Sequence, residues 1–167
     1  NEETLLRKRV TRKRELSKDV CRDLVLASIT LKYTQSNSVG YSLDGQMIGI
    51  GAGQQSRVDC TKLAGRKAEI WHMRSHPRVR ALPFRDEVRN VEKMNAQIAF
   101  IEGEMTGPER KIWLKNFYED PGMLSQEEKT AHIQLMHGIS LSSDAFLPFR
   151  DNLDQAARRG VESVVQP

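Results

Sequence analysis

Apolar residues at Val20, Cys21, Leu24, Ala27 and Leu31 recur at steps of three and four, the period of one helix face. Ser17 stands where a side chain can cap the first free amides, so the pattern predicts a helix over 18–33. After the polar loop Gln35 to Asn37, two short runs, Ser38 to Tyr41 and Gln46 to Ile50, flank Asp44-Gly45. That dipeptide tolerates positive φ, which predicts a tight antiparallel hairpin. The second strand runs into Gly51-Ala52-Gly53, and Ser56 to Asp59 reads as a capping box opening a helix that ends near Arg74. His76-Pro77 closes it, because proline disfavours helical geometry at the preceding residue. Amphipathic stretches over 86–102, 108–118 and 126–137 predict an all-helical block. Ile139 and Leu141 then mark a strand, Ser142 to Phe149 a loop, Asp151 to Arg159 a helix closed by Gly160, and Val161 to Val165 a strand. This last β-α-β unit makes its two strands parallel. The expected fold is α/β, a mixed sheet flanked by helices with an all-helical insertion at about 78–137, in a body spanning 17–167.

Composition narrows the class. The chain has 167 residues, 38% hydrophobic and 29% charged, which is the profile of a globular domain. No run is long and apolar enough to span a bilayer, so a membrane is excluded as partner and a soluble, cytoplasmic protein is expected. Cys21 and Cys60 stand far apart with no CxxC, which indicates neither a disulfide framework nor zinc. The whole formal charge of +4 sits in residues 1–14, within a basic N-terminal arm over 1–16 that contains Arg7, Lys8, Arg9, Arg12, Lys13 and Arg14. Such an arm can hold phosphates, but without interleaved aromatics it reads as a solvated terminus, and no nucleic-acid partner is expected. Pro167 follows directly on a strand, where open α/β sheets present ligand loops, so a further segment is expected beyond it.

Candidate chemistry lies in three places. Gly49, Gly51 and Gly53 form GxGxG rather than the GxGxxG of dinucleotide sites, and two readings stay open: a sharp strand-to-helix turn, or close backbone approach to a ligand. Arg57 is a cation in the first turn of a helix, where charge and dipole together favour an anion. His72 and His76, four apart, have metal-like spacing but no third ligand close in sequence. Trp71, Phe100, Trp113 and Phe117 fall on apolar helix faces and are expected in the core. The loop Ser142 to Asn152 is rich in aromatic and polar residues. Asp151 or Asn152 could cap a helix and Phe146 or Phe149 anchor the loop, while its place between parallel strands suits a flat heteroaromatic ligand.

Three strings, Lys32-Tyr33-Thr34-Gln35-Ser36-Asn37-Ser38, Gly49 to Arg57 and Ser142 to Asn152, resemble the aminoimidazole carboxamide ribonucleotide (AICAR) transformylase domain of a bifunctional purine-biosynthesis family that also carries an IMP cyclohydrolase domain. The resemblance spans about Ser17 to Pro167 and looks like the second copy of a duplicated fold. It implies a cytidine-deaminase-like fold, a homodimer with shared active sites, and formyl transfer from 10-formyltetrahydrofolate to AICAR. It also implies that Asn37 meets the reacting centre, that Asn37, Arg57 and Phe146 hold AICAR, and that Val58, Asp151 and Asn152 border the folate. A K+ ion near Thr34, Ser38 and Asp144 is implied as well, and no zinc, in agreement with the missing deaminase signature. The family's Lys-His general-base pair occurs nowhere in the chain. The alternative is a non-catalytic binding or assembly module of the same fold.

Overall fold

The computed structural model describes residues 5–11 and 14–167, so part of the basic arm, including Arg12 and Lys13, lies outside the described residues. Two compact units emerge, residues 1–69 with 135–167, and residues 70–134.

The first unit is an α/β sheet layer. Helix α1 (Lys18–Leu31) opens as expected, with the Ser17 hydroxyl accepting from the Val20 amide at 3.2 Å. Strands β1 (Ser38–Leu43) and β2 (Gln46–Ala52) form the hairpin, its turn made by Asp44 at φ 52° and Gly45 at φ 77°. Buried Asp23 on α1 pins that turn by accepting from the Gly45 amide at 2.8 Å. Helix α2 (Arg57–Met73) follows and carries its last residues into the second unit. Half of the expected capping box is present, the Asp59 amide donating to Ser56 Oγ at 3.2 Å, while that hydroxyl rather than the Ser56 amide donates to the Asp59 carboxylate at 2.7 Å. Strand β3 (Ile139–Ser143), helix α7 (Arg150–Ala157) and strand β4 (Val161–Val165) complete the unit in the order β2-β1-β3-β4. β1 is antiparallel to both neighbours, and β3 and β4 are parallel as the β-α-β reading requires.

The two faces of the sheet pack differently. Toward α1 it presents small residues: Gly40 sits under Leu31, Ser42 Oγ donates to the Asp23 carbonyl at 2.8 Å, and Ser142 meets Ser28 at 2.9 Å. Toward α2, Tyr41 is fully buried, its hydroxyl donating to the Thr61 carbonyl at 3.3 Å. Gly49 and Gly51 settle the glycine question differently from either reading. A Cβ on Gly49 would lie 2.1 Å from the Ala64 carbonyl oxygen, and one on Gly51 would lie 2.1 Å from that of Cys60. The backbone approached is α2, not a ligand. Only Gly53, at φ 68°, serves the turn.

The second unit, apart from an isolated bridge between Phe84 and Phe117, has helices for its described regular elements. They are α3 (Pro77–Arg80), α4 (Asn90–Glu102), α5 (Gly107–Trp113) with a 3₁₀ turn at Leu114–Asn116, and α6 (Gln126–Ile133). α3 is unexpected, and α4, α5 and α6 are each shorter than the stretch predicted for them. Caps decide where they begin: Thr106 with Glu109 and Ser125 with Glu128 form capping boxes, and the Arg89 amide donates to Glu92 at 3.0 Å. Phe100, Trp113 and Phe117 form the expected core, Trp113 donating from Nε1 to the Ala96 carbonyl at 2.9 Å. Trp71 departs from expectation and is only half-buried. No described helix is long and apolar enough to cross a membrane.

Candidate functional site

Topology gathers the candidates at one sheet edge. Because β1 runs against β2 and β3, its first residue lies beside the last residues of both, and α2 and α7 start from that same edge. The β1–β3 register pairs Val39 with Ser143, and one step further the Asp144 amide donates to the Ser38 carbonyl at 3.1 Å. Asp144 is thereby brought to the start of α2.

Arg57 Nη2 lies 3.5 Å from Asp144 Oδ1, a long single contact between side chains 21% and 17% exposed. Its Nε is buried without a hydrogen-bond partner. A guanidinium so weakly engaged keeps most of its donor fork for another anion. Asp144 is meanwhile surrounded by donors, Oδ1 accepting also from the Ser38 amide at 3.1 Å and Oδ2 from the Ser36 hydroxyl. Asn37, half-buried between them in sequence, donates from Nδ2 to the Gln54 carbonyl at 3.0 Å. Its backbone carbonyl accepts from the Gly53 amide at 2.9 Å and from Cys60 Sγ at 3.1 Å. These bonds fix the side chain, while Oδ1 has no protein donor among the described residues. Burial pushes the Cys60 thiol above its ordinary value, so it packs rather than reacts.

Helix α7 lies against α2. Asn152 is 2% exposed, its Nδ2 donating to the Phe149 carbonyl at 3.3 Å and to Asp151 Oδ1 at 2.8 Å, and Thr61 Oγ1 lies 3.5 Å from its Oδ1. Neither Asp151 nor Asn152 is the helix cap. Phe149 holds that position, since the helix begins at Arg150, one residue before the polar pair, and its ring has no oxygen with which to cap. The aromatic anchors are corrected too: Phe146 and Phe149 are 62% and 70% exposed, and Leu147 is the residue that buries. Val58 is half-buried beside Arg57.

The oxygens considered for a monovalent cation are largely engaged. Thr34 Oγ1 donates to the Leu31 carbonyl at 2.9 Å, and the Asp144 carboxylate faces a guanidinium and two protein donors. Of the three, only Ser38 Oγ is buried and unpartnered, while the donating Thr34 hydroxyl keeps its lone pairs. Elsewhere, in the helical unit, His132 packs against both His72 and His76, with ring centroids 4.7 and 4.8 Å apart. Sequence spacing could not show this third histidine. Among the described residues no group of three or more His, Cys, Asp or Glu is placed to hold a metal ion.

Residues 1–67 match the family model described as the AICARFT/IMPCHase bienzyme. The match supports an AICAR transformylase-related domain. It takes in α1, the hairpin and the start of α2, with Thr34, Asn37, Ser38, Arg57 and Val58. The loop and helix that bring Asp144, Phe146, Asp151 and Asn152 to the same edge lie beyond it. For this AICAR transformylase-related domain the match supports a role in purine biosynthesis. Sequence reasoning named most of the edge but assigned Asp144 to a cation. The signal for its pairing with Arg57 is the β1–β3 register, which no local pattern carries.

Proposed function

We propose that the chain supplies part of the substrate and folate site for formyl transfer from 10-formyltetrahydrofolate to AICAR. The observation that carries the reading is Arg57, a half-buried guanidinium at a helix N-terminus with an unpartnered Nε, set beside a fixed Asn37. AICAR brings an anionic phosphate and a planar carboxamide, and a donor fork with a preoriented amide suits that pair. In the reaction the 5-amino nitrogen bonds to the formyl carbon, the bond from that carbon to folate N10 breaks, and N10 takes up a proton. Asn37 Oδ1 would orient the carboxamide or the amine, and the exposed Phe146 ring would cover the base. Val58 and the Asp151–Asn152 pair at the start of α7 would border the folate. The amine must also give up a proton, and the Lys-His pair for that work is absent from this sequence, so these residues bind and orient. The proposal includes a homodimer with shared sites, in keeping with the exposure of Phe146, Phe149 and Leu153 on one stretch of chain.

Calorimetric titration of AICAR into the chain and its Arg57→Ala variant tests the reading. Loss of a charge-assisted hydrogen bond should weaken binding by roughly 1.5 to 3 kcal/mol. Equal affinity in the two proteins would overturn the assignment of Arg57, and AICAR binding without transfer when the missing catalytic groups are supplied would favour the non-catalytic module.

A further inference from the structure

Helix α7 has little apolar surface with which to fix its own position. It is eight residues long, its buried side chains are Asn152 and Ala156, and Leu153 is 44% exposed. A helix this short is marginal by itself, and one alanine contributes little burial. Polar ties must therefore set its height and rotation on α2. One contact is at the start, where buried Asn152 Oδ1 lies 3.5 Å from Thr61 Oγ1, whose proton is mainly engaged by the Arg57 carbonyl at 2.9 Å. The other is just past the end. Arg159 Nε lies 2.8 Å from Glu69 Oε1, an ion pair by distance whose N–H is not aligned as a hydrogen bond, with side chains 18% and 24% exposed, and Arg159 Nη1 donates to the Gln155 carbonyl at 3.1 Å. The two ties lie about 12 Å apart along α2 at ~1.5 Å rise per residue, so the helices run side by side in the same direction. Arg159 reaches Glu69 by lying flat over Gly65, where a Cβ would sit 2.2 Å from its Cδ.

We propose that Arg159 is a positioning residue: clamped over Gly65 and paired with Glu69, it holds the start of α7, with Asp151 and Asn152, level with the start of α2, with Arg57 and Val58. The role rests on the proposed function, because those two helix starts are the two sides of the AICAR and folate site. Removing the tie leaves the far end of α7 held by Ala156 and by the Gly160 carbonyl, which accepts from the Ile139 amide at 3.0 Å, with no side chain fixing its height on α2. The folate side should then loosen while Arg57, on the longer helix, keeps its place.

Gly65→Ala is the decisive variant, because it keeps both charges and removes only the room for Arg159. An alanine inside a helix is intrinsically favourable, so a merely structural glycine would give an equal or higher melting temperature with nothing else changed. Hydrogen exchange of the α7 amides in Gly65→Ala and Arg159→Ala should accelerate by about tenfold, within the usual range for breaking one coupled contact, and Arg159→Lys should fall between them and wild type. Titration with 10-formyltetrahydrofolate should weaken about five- to tenfold in the same variants, and with AICAR less than twofold. Unchanged α7 exchange in Gly65→Ala and Arg159→Ala overturns the positioning role whatever the ligands do. Accelerated exchange with no AICAR or folate binding even by wild type keeps the tie and overturns the proposed function instead. Equal weakening of both ligands would also overturn it, since the tie would then act through general loosening rather than on the α7 side.

Discussion

Substituting Gly51 by alanine should displace the helix that carries Arg57. The new Cβ would stand 2.1 Å from the Cys60 carbonyl oxygen and 2.8 and 2.9 Å from its carbonyl carbon and Cα. All three are backbone atoms of α2, so no side-chain rotation relieves the clash. An ordinary contact needs roughly 3.4 Å or more between such atoms, and α2 must therefore retreat from β2 by about 1 Å. Overpacking of this kind costs about 1 to 3 kcal/mol, which for a chain of this size lowers the melting temperature by about 2 to 4 °C per kcal/mol. The functional effect should be larger than the stability effect implies. Arg57 is one turn before Cys60, and its contact with Asp144 is already long at 3.5 Å. A retreat of that size breaks the contact and moves the guanidinium away from Asn37, and misplacement by about 1 Å can cost up to 100-fold. Thermal melting and AICAR titration of Gly51→Ala, alongside Gly107→Ala, check the reasoning. Gly107 has nothing within 4 Å of its virtual Cβ and should be silent in both assays. A Gly51→Ala protein that melts and binds like wild type would refute the claim that the sheet glycines exist to seat α2.

Other outcomes follow from the same geometry. His76 caps α3 by accepting from the Arg78 amide at 3.2 Å through Nδ1, which requires the neutral ring. Burial, then the neighbouring His132 and Arg78, hold it below its ordinary value of 6.5, with Glu128 opposing. The unfolded chain therefore binds the proton more readily, so stability is full above pH 6.5 and falls as pH drops through the lowered folded value. Melting curves at stepped pH should show this loss, and His76→Asn, which caps without titrating, should reduce it. Asn152→Ala strands the Phe149 carbonyl beside a cavity and should cost about 1 to 3 kcal/mol by urea denaturation, far more than Asp151→Ala on the exposed side. Replacing Phe146 and Phe149 together by serine should leave the melting temperature within about 2 °C, since both rings are exposed, and should shift any sedimentation-detected dimer toward monomer. An unaltered dimer would remove these rings from the interface.

The period of apolar residues was enough to place α1, the hairpin and the β-α-β unit, because each is stabilised by a local device: Ser17 at a cap, Asp44-Gly45 in a turn, a crossover helix between parallel strands. In the helical block it placed the starts capped by Thr106 and Ser125 within one residue, but overran the C-terminal ends, which fall at Trp113 and Ile133. Arg57 was legible for a related reason, since a cation in a first helical turn is a local anomaly that suits an anion, whereas Asn37 was named only through the family resemblance. The partners of those residues were not legible. Asp144 reaches Arg57 across 87 positions, Asn152 reaches Thr61 across 91, and His132 reaches Ser75 across 57. Contacts of that separation depend on strand register and helix packing, which a window of neighbouring residues does not contain. Glycine meaning was also decided in three dimensions: Gly49 and Gly51 look like turn or ligand signals in a string, and each, like Gly65 within α2, is a place where another part of the chain presses against bare backbone. The sequence by itself determined the elements and the residues with chemistry to offer. Only the tertiary structure decided which of them meet, because close packing leaves one register in which helices, sheet and buried polar groups are satisfied together.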